Sequence, residues 1–167
     1  MKRFTDINPA EIKGNPIHLI GREWMLITAG TPQHFNTMTA SWGSMGELWF
    51  KPVCFCFVRP QRYTHEFMEK YEAFTLSFFK EKYKPQLNFC GSRSGRETDK
   101  AKECGFTIRE AKNGSVFFDE ARQKMSRCHD MVVLDGAVCN GRQRLYAVKC
   151  DRNCHFFWQA EWLDRSD

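Results

Sequence analysis

The chain has 167 residues, 42% hydrophobic, 14% aromatic and 27% charged, a balance that excludes a disordered polymer and supplies the apolar mass of one folded domain over 1–167. No apolar run reaches the roughly 18 residues of a membrane helix, and MKRFTDINPA lacks the apolar stretch of a secretory leader, so the expected address is the cytoplasm. The net charge of +5 is concentrated: residues 51–100 carry ten basic against six acidic groups, which suits a pocket for a small anion better than the broad basic stripe of a nucleic-acid binder.

Taken in chain order, the first expected strand is Trp24–Ala29, closed by the turn signal Ala29-Gly30-Thr31-Pro32. Met38–Trp42 follows, in which Thr37, Thr39 and Ser41 alternate with Met38, Ala40 and Trp42, placing hydroxyls along one face. That face reads either as the polar outside of a strand or as an edge offering hydrogen bonds to a flat heteroaromatic ligand. Gly43-Ser44-Met45-Gly46 reads as a hairpin turn, and the continuous apolar run Val53–Val58 as a strand covered on both faces.

Arg59-Pro60-Gln61-Arg62-Tyr63-Thr64 leads into a helix expected to begin at Thr64 as its N-cap and to bury Phe67, Met68 and Tyr71. Two guanidinium forks, a hydroxyl and exposed N–H groups at a helix start favour an anion such as a phosphate. The competing reading pairs these arginines with Glu66 and Glu69. A strand over Phe74–Phe79 and a helical stretch over Lys84–Phe89, with Pro85 in its first turn, come next.

The segment from Cys90 to Lys100 reads as a loop rich in Gly and Ser feeding a helix that starts with a Ser94/Glu97 capping box and ends at Gly105. Its backbone N–H groups, with Arg93, Arg96 and Lys100, form a second anion-friendly turn, although it lacks the spacing of a nucleotide P-loop. Further strands are expected at Ser115–Phe118, Gln143–Cys150 and His155–Trp162. Many short strands with a few short helices at the connections give an α+β fold or a mostly-β barrel.

The eight cysteines (54, 56, 90, 104, 128, 139, 150 and 154) include no CxxC pair and read as free thiols rather than disulfide or metal ligands. Cys150, Cys154 and His155 are the tightest group, one ligand short of a zinc site. There is no GxSxG, HExxH or GxGxxG motif, and the five histidines are scattered. No catalytic residue is legible, so any chemistry is expected to come from a cofactor.

Together NTMTASWG at 36–43, LWFKPVCFCFVRPQRYTHEF at 48–67, FTLSFF at 74–79 and NFCGSRSGRETDK at 88–100, with VFFDEA at 116–121 and HFFWQAEW at 155–162, resemble the flavin reductase-like family of FMN-binding split barrels, the flavoredoxin type in particular. The resemblance implies a homodimeric six-stranded split β-barrel with FMN near the interface and NADH or NADPH as electron donor. By motif, Met38, Thr39, Ala40, Ser41 and Trp42 would line the isoalloxazine and ribityl chain. Arg59, Arg62, Tyr63 and Thr64 would hold the phosphate. Cys90, Gly91, Ser92, Ser94, Gly95 and Lys100 would close over the ligand. Residues 128–153 match the family pattern loosely, leaving the electron acceptor, small molecule or protein, undefined, and His155 is placed either near the flavin or as a strand cap. Two alternatives stand beside a reductase: a flavin-binding electron-transfer module without nicotinamide activity, and a basic barrel stacking nucleic-acid bases on its aromatics.

Overall fold

A computed structural model describes residues 4–7, 11–12, 14–48, 51–71, 73–111, 113–126, 131–138, 141–149 and 156–159. The elements are β1 (Phe4–Ile7), α1 (Pro16–His18) running into a π-helical turn at Leu19–Glu23, β2 (Met25–Thr31), β3 (His34–Ala40), β4 (Gly43–Leu48), β5 (Lys51–Val58), α2 (Tyr63–Lys70), β6 (Phe74–Phe78), a 3₁₀ turn at Glu81–Tyr83, α3 (Lys84–Ser92), α4 (Lys100–Glu103), β7 (Ile108–Glu110), β8 (Val116–Phe118), β9 (Gln123–Ser126), β10 (Met131–Val138), β11 (Gly141–Lys149) and β12 (Phe156–Gln159). They form a six-stranded sheet in the order β1-β12-β9-β6-β2-β3, a four-stranded sheet β10-β11-β5-β4 and the β7-β8 pair. Every pairing is antiparallel, so the mostly-β expectation holds. None of the described helices is long and apolar enough to cross a membrane.

β2 is buried from Met25 to Gly30 because both of its faces are covered. Met25, Ile27 and Ala29 enter one core with Met38, Cys54, Cys56, Val58, Leu76 and Phe78, closed by Phe67 and Met68 of α2. Leu26 enters a second core with Leu87 and Cys90 of α3, Ala101 of α4, Phe106 and Phe118. β3 is the last strand of the six-stranded sheet among the described residues, with α3 and α4 packed against it.

Several local expectations are corrected. Gly43–Gly46 is not a turn but the start of β4, with Gly43 opposite Cys56 and Leu48 opposite Lys51. A Cβ on Gly43 would come within 2.5 Å of the Phe55 carbonyl, so this glycine serves close strand approach. The chain reverses between β2 and β3 at Pro32–Gln33, after Thr31 has paired with His34. β5 is not covered equally on both faces: Cys54, Cys56 and Val58 are sealed, while Phe55 and Phe57 are half-buried.

The N-cap of α2 is the extended Arg62, two residues before Thr64, with no side-chain cap. Thr64 therefore lies inside the first turn, where its hydroxyl accepts from Asn36 Nδ2 at 2.8 Å. Both residues are buried, and the bond gives the Asn36 amide the partner that burial requires. The Ser94/Glu97 capping box does not form either. Ser94–Glu97 is a turn closed by Glu97 N–H to the Ser94 carbonyl, and Asp99 caps α4 by accepting from Lys102 N–H. α4 does end as expected, with Gly105 at φ +65°. α3 keeps Pro85 in its first turn but continues to Ser92, so Cys90, Gly91 and Ser92 are helical rather than looped. β1, β4, β7, β9 and β10 were not expected. Cys128, Cys139, Cys150, Cys154, His129 and His155 lie outside the described residues.

Candidate functional site

Two connections build the site. After β5, Arg62 N–H bonds the Arg59 carbonyl at 3.0 Å, with Pro60 in the second turn position, where its fixed φ is favoured. This four-residue turn sets Arg59 and Arg62 at its two ends, facing the same space. Opposite, the chain leaves β3 at Ala40 and passes through Ser41 and Trp42 before β4. Between the two lies an open pocket of about 160 Å³ lined by Met38, Thr39, Ala40, Ser41, Trp42, Phe57, Arg59 and Arg62.

The pocket is cationic on one wall and aromatic on another. Trp42 is 56% exposed, unusual for so large an apolar side chain, and the Arg59 guanidinium stands 5.5 Å from its ring centre. Arg62 Nη1 donates to the Gly91 carbonyl at 3.1 Å, which holds its side chain against the end of α3. Among the described residues neither arginine has a carboxylate partner. Glu66 pairs instead with Arg96, whose guanidinium covers the Tyr63 ring at 4.4 Å, and Glu69 with His65. The reading that spent Arg59 and Arg62 on Glu66 and Glu69 is thereby set aside.

The hydroxyl face of β3 is neither the polar outside of a strand nor a ligand surface along its whole length. Thr37 shares a 2.9 Å bond with Thr28, and Thr39 donates to the Leu87 carbonyl of α3, so both anchor structure. Only Ser41, past the strand end, keeps its side chain for the pocket.

Of the fifteen expected contact residues, Met38 to Trp42, Arg59 and Arg62 come together around this pocket. Tyr63, Thr64, Cys90, Gly91, Ser92, Ser94, Gly95 and Lys100 do not line it. Lys100 is 5% exposed and its ammonium donates to the Thr37 and Cys90 carbonyls at 2.8 and 3.0 Å. Burial lowers its pKa, and the nearby Arg62 charge adds to that, while the neighbouring Cys90 and Cys104 thiols oppose it. It braces α3 and α4 against β3. A Cβ on Gly91 would lie 3.3 Å from that of Thr39, and one on Gly95 would run into the Asn36 amide. Burial pushes the Cys90 thiol up to about 12, so it is protonated at neutral pH.

Phe57 was missed, although its signal is plain. Cys54, Cys56 and Val58 point to the core, so strand alternation puts Phe57 on the face that continues into Arg59. Asn36 was missed as well. It stands on β3 itself, two residues before Met38, and joins this strand to the first turn of α2.

The family model described as "Flavin reductase like domain" matches residues 17–138. No curated protein sequence matches the chain. Among solved structures, the chain is similar to flavoredoxin from Methanosarcina acetivorans, with 18% identity and a TM-score of 0.65 over 76% of this chain and 64% of that one. It thus spans somewhat less than two thirds of that flavoredoxin. It is also similar to an FMN-binding protein from Thermus thermophilus, at 21% identity and a TM-score of 0.67 over 98% of this chain and 83% of that one. An FMN-binding domain of a flavin reductases-like enzyme from Shewanella baltica gives 14% identity and a TM-score of 0.71, covering 98% and 81%. The chain shares the split-barrel fold of these flavin reductase-like neighbours. With the model matched across most of its length, the chain belongs to the flavin reductase-like domain family.

Proposed function

We propose that this pocket binds FMN and that the chain is an FMN-dependent oxidoreductase using NADH or NADPH. One observation carries the reading: Arg59 and Arg62 converge on an open pocket beside an exposed Trp42, with no carboxylate against either among the described residues. Two cations without counter-charge at a concave surface select a phosphate, and bidentate guanidinium bonding suits it. The adjoining aromatic wall suits a flat ring system. Family membership and the FMN-binding names of the Thermus and Shewanella proteins support the same cofactor.

FMN, when bound, supplies the hydride acceptance from reduced nicotinamide and the onward delivery of electrons that no side chain of this chain offers. The chain's own residues bind and orient. Arg59 and Arg62 hold the phosphate end. Ser41 and the main chain from Met38 to Trp42 present hydrogen-bonding groups to the polar edge of the ring, and Trp42 and Phe57 screen it from water. Tyr63, Thr64, Cys90, Gly91, Ser92, Ser94, Gly95 and Lys100 act from behind the pocket: Gly91 fixes Arg62 through its carbonyl, and Lys100 fixes the strand through Thr37. We further propose that the chain works as a homodimer with FMN near the interface, a state that light scattering on the eluted protein reads directly.

The test is anaerobic stopped-flow mixing of the FMN-loaded protein with NADH and with NADPH. Rapid loss of the oxidised-flavin absorbance with at least one of them is the expected result. A flavin that binds yet stays oxidised with both would make the chain an electron-transfer module and overturn the reductase assignment.

A further inference from the structure

Cys90, on the last turn of α3, and Cys104, the C-cap of α4, place their Sγ atoms 3.7 Å apart although they are fourteen positions apart in sequence. The contact is built rather than incidental. Lys100 and Cys104, one helical turn apart, reach the same residue: the Lys100 ammonium binds the Cys90 carbonyl and the Cys104 sulfur meets the Cys90 sulfur. Cys104 also donates to the Gln86 carbonyl, one turn earlier on α3. Cys90 is fully buried in the second core, whereas Cys104 is partly exposed. One thiol is therefore open to a small reagent while the second waits behind it. The other described thiols, Cys54 and Cys56, are sealed in the first core.

We propose that Cys90 and Cys104 are an oxidisable pair that closes into a disulfide under sustained exposure to a peroxide, clipping α3 to α4 around the turn that carries Arg93 and Arg96. The Cys104 thiol attacks the peroxide, its S–O bond forming as the O–O bond breaks, to give a sulfenic acid and one water. Cys90 sulfur then attacks the Cys104 sulfur, forming S–S and releasing the oxygen, with the Cys90 proton, as a second water. Two thiols are oxidised by two electrons and one hydrogen peroxide becomes two waters. Burial raises the pKa of both thiols, so the reaction is slow at neutral pH and the pair remains reduced under mild oxidant.

The inference does not depend on the flavin reading, and its test needs no cofactor. Reduced full-length protein is treated with millimolar hydrogen peroxide, blocked with N-ethylmaleimide and digested with trypsin without reductant. Because the bond after Lys84 precedes Pro85 and resists cleavage, the diagnostic peptides are 83–93 and 103–109. The expected product is these two joined, two hydrogens lighter than their sum, lost on reduction and missing from the Cys104→Ser variant. Unlinked peptides, with Cys104 over-oxidised to a sulfinic or sulfonic acid or with both thiols intact while methionines have become sulfoxides, would overturn it.

Discussion

Gly95→Ala probes how the helical side is fastened to the pocket strand. A Cβ at Gly95 would lie 1.9 Å from Asn36 Oδ1 and 2.8 Å from its Cγ. Gly95 has no left-handed φ, so its objection to a side chain is contact rather than backbone conformation. Asn36 is only 6% exposed, and its amide donates to the buried Thr64 hydroxyl at 2.8 Å, so it cannot move aside without breaking that bond. Losing one buried bond costs about 1–3 kcal/mol and overpacking adds about 1–3 kcal/mol. With partial relaxation a total of about 2–4 kcal/mol is expected. Urea unfolding of a double-mutant cycle with Asn36→Ala isolates the cause. In the Asn36→Ala background the clashing atoms are gone, and Gly95→Ala should then cost less than about 1 kcal/mol, a coupling well above the error of such cycles. Equal costs in both backgrounds would refute the reasoning.

Arg59→Ala should weaken FMN binding by about 1.5–3 kcal/mol, the scale of a charged hydrogen bond, with little change in urea midpoint because Arg59 is exposed. Arg62→Ala should lower both affinity and stability, since Arg62 also ties α2 to α3 through Gly91; titration and unfolding of both variants check the split. Lys100→Met leaves the Thr37 and Cys90 carbonyls without their donor and should cost about 1–3 kcal/mol, and an unchanged midpoint would remove its bracing role. Burial raises the Cys54 thiol from 9.0 to about 12. Its protonated form therefore contributes stability that is complete below pH 9 and lost as pH rises toward 12. The stability deficit of Cys54→Ala should accordingly shrink across that window when unfolding is followed from pH 8 upward, and a constant deficit would contradict the burial effect.

The sequence was legible where local chemistry and tertiary need coincide. The strand expected at Trp24–Ala29 is found as β2, Met25–Thr31; Arg59 and Arg62 flank a proline turn and share a pocket. It misled where a distant group outbids a local one. Thr64 has the chemistry of a cap but meets Asn36, 28 positions away, and Ser94 loses the capping role to Asp99. Gly43 looks like a turn residue because nothing local reveals the Phe55 carbonyl packed beside it. β10 escaped because Asp135 and Gly136 interrupt its apolar run, and its pairing with β11, from Met131↔Val148 to Val138↔Gly141, compensates for that weak stretch. Beside Arg93 and Arg96 in the sequence, Lys100 has the look of a ligand cation; only the fold shows that its ammonium is committed to two carbonyls.

The most direct measurement is a visible difference titration of the purified protein with FMN, and with riboflavin in parallel. The account predicts a perturbed flavin spectrum that saturates with FMN, and affinity for riboflavin lower by about tenfold or more, the loss of at least one charged hydrogen bond. An unperturbed FMN spectrum, or equal affinity for the two flavins, would contradict the assignment of Arg59 and Arg62 to a phosphate.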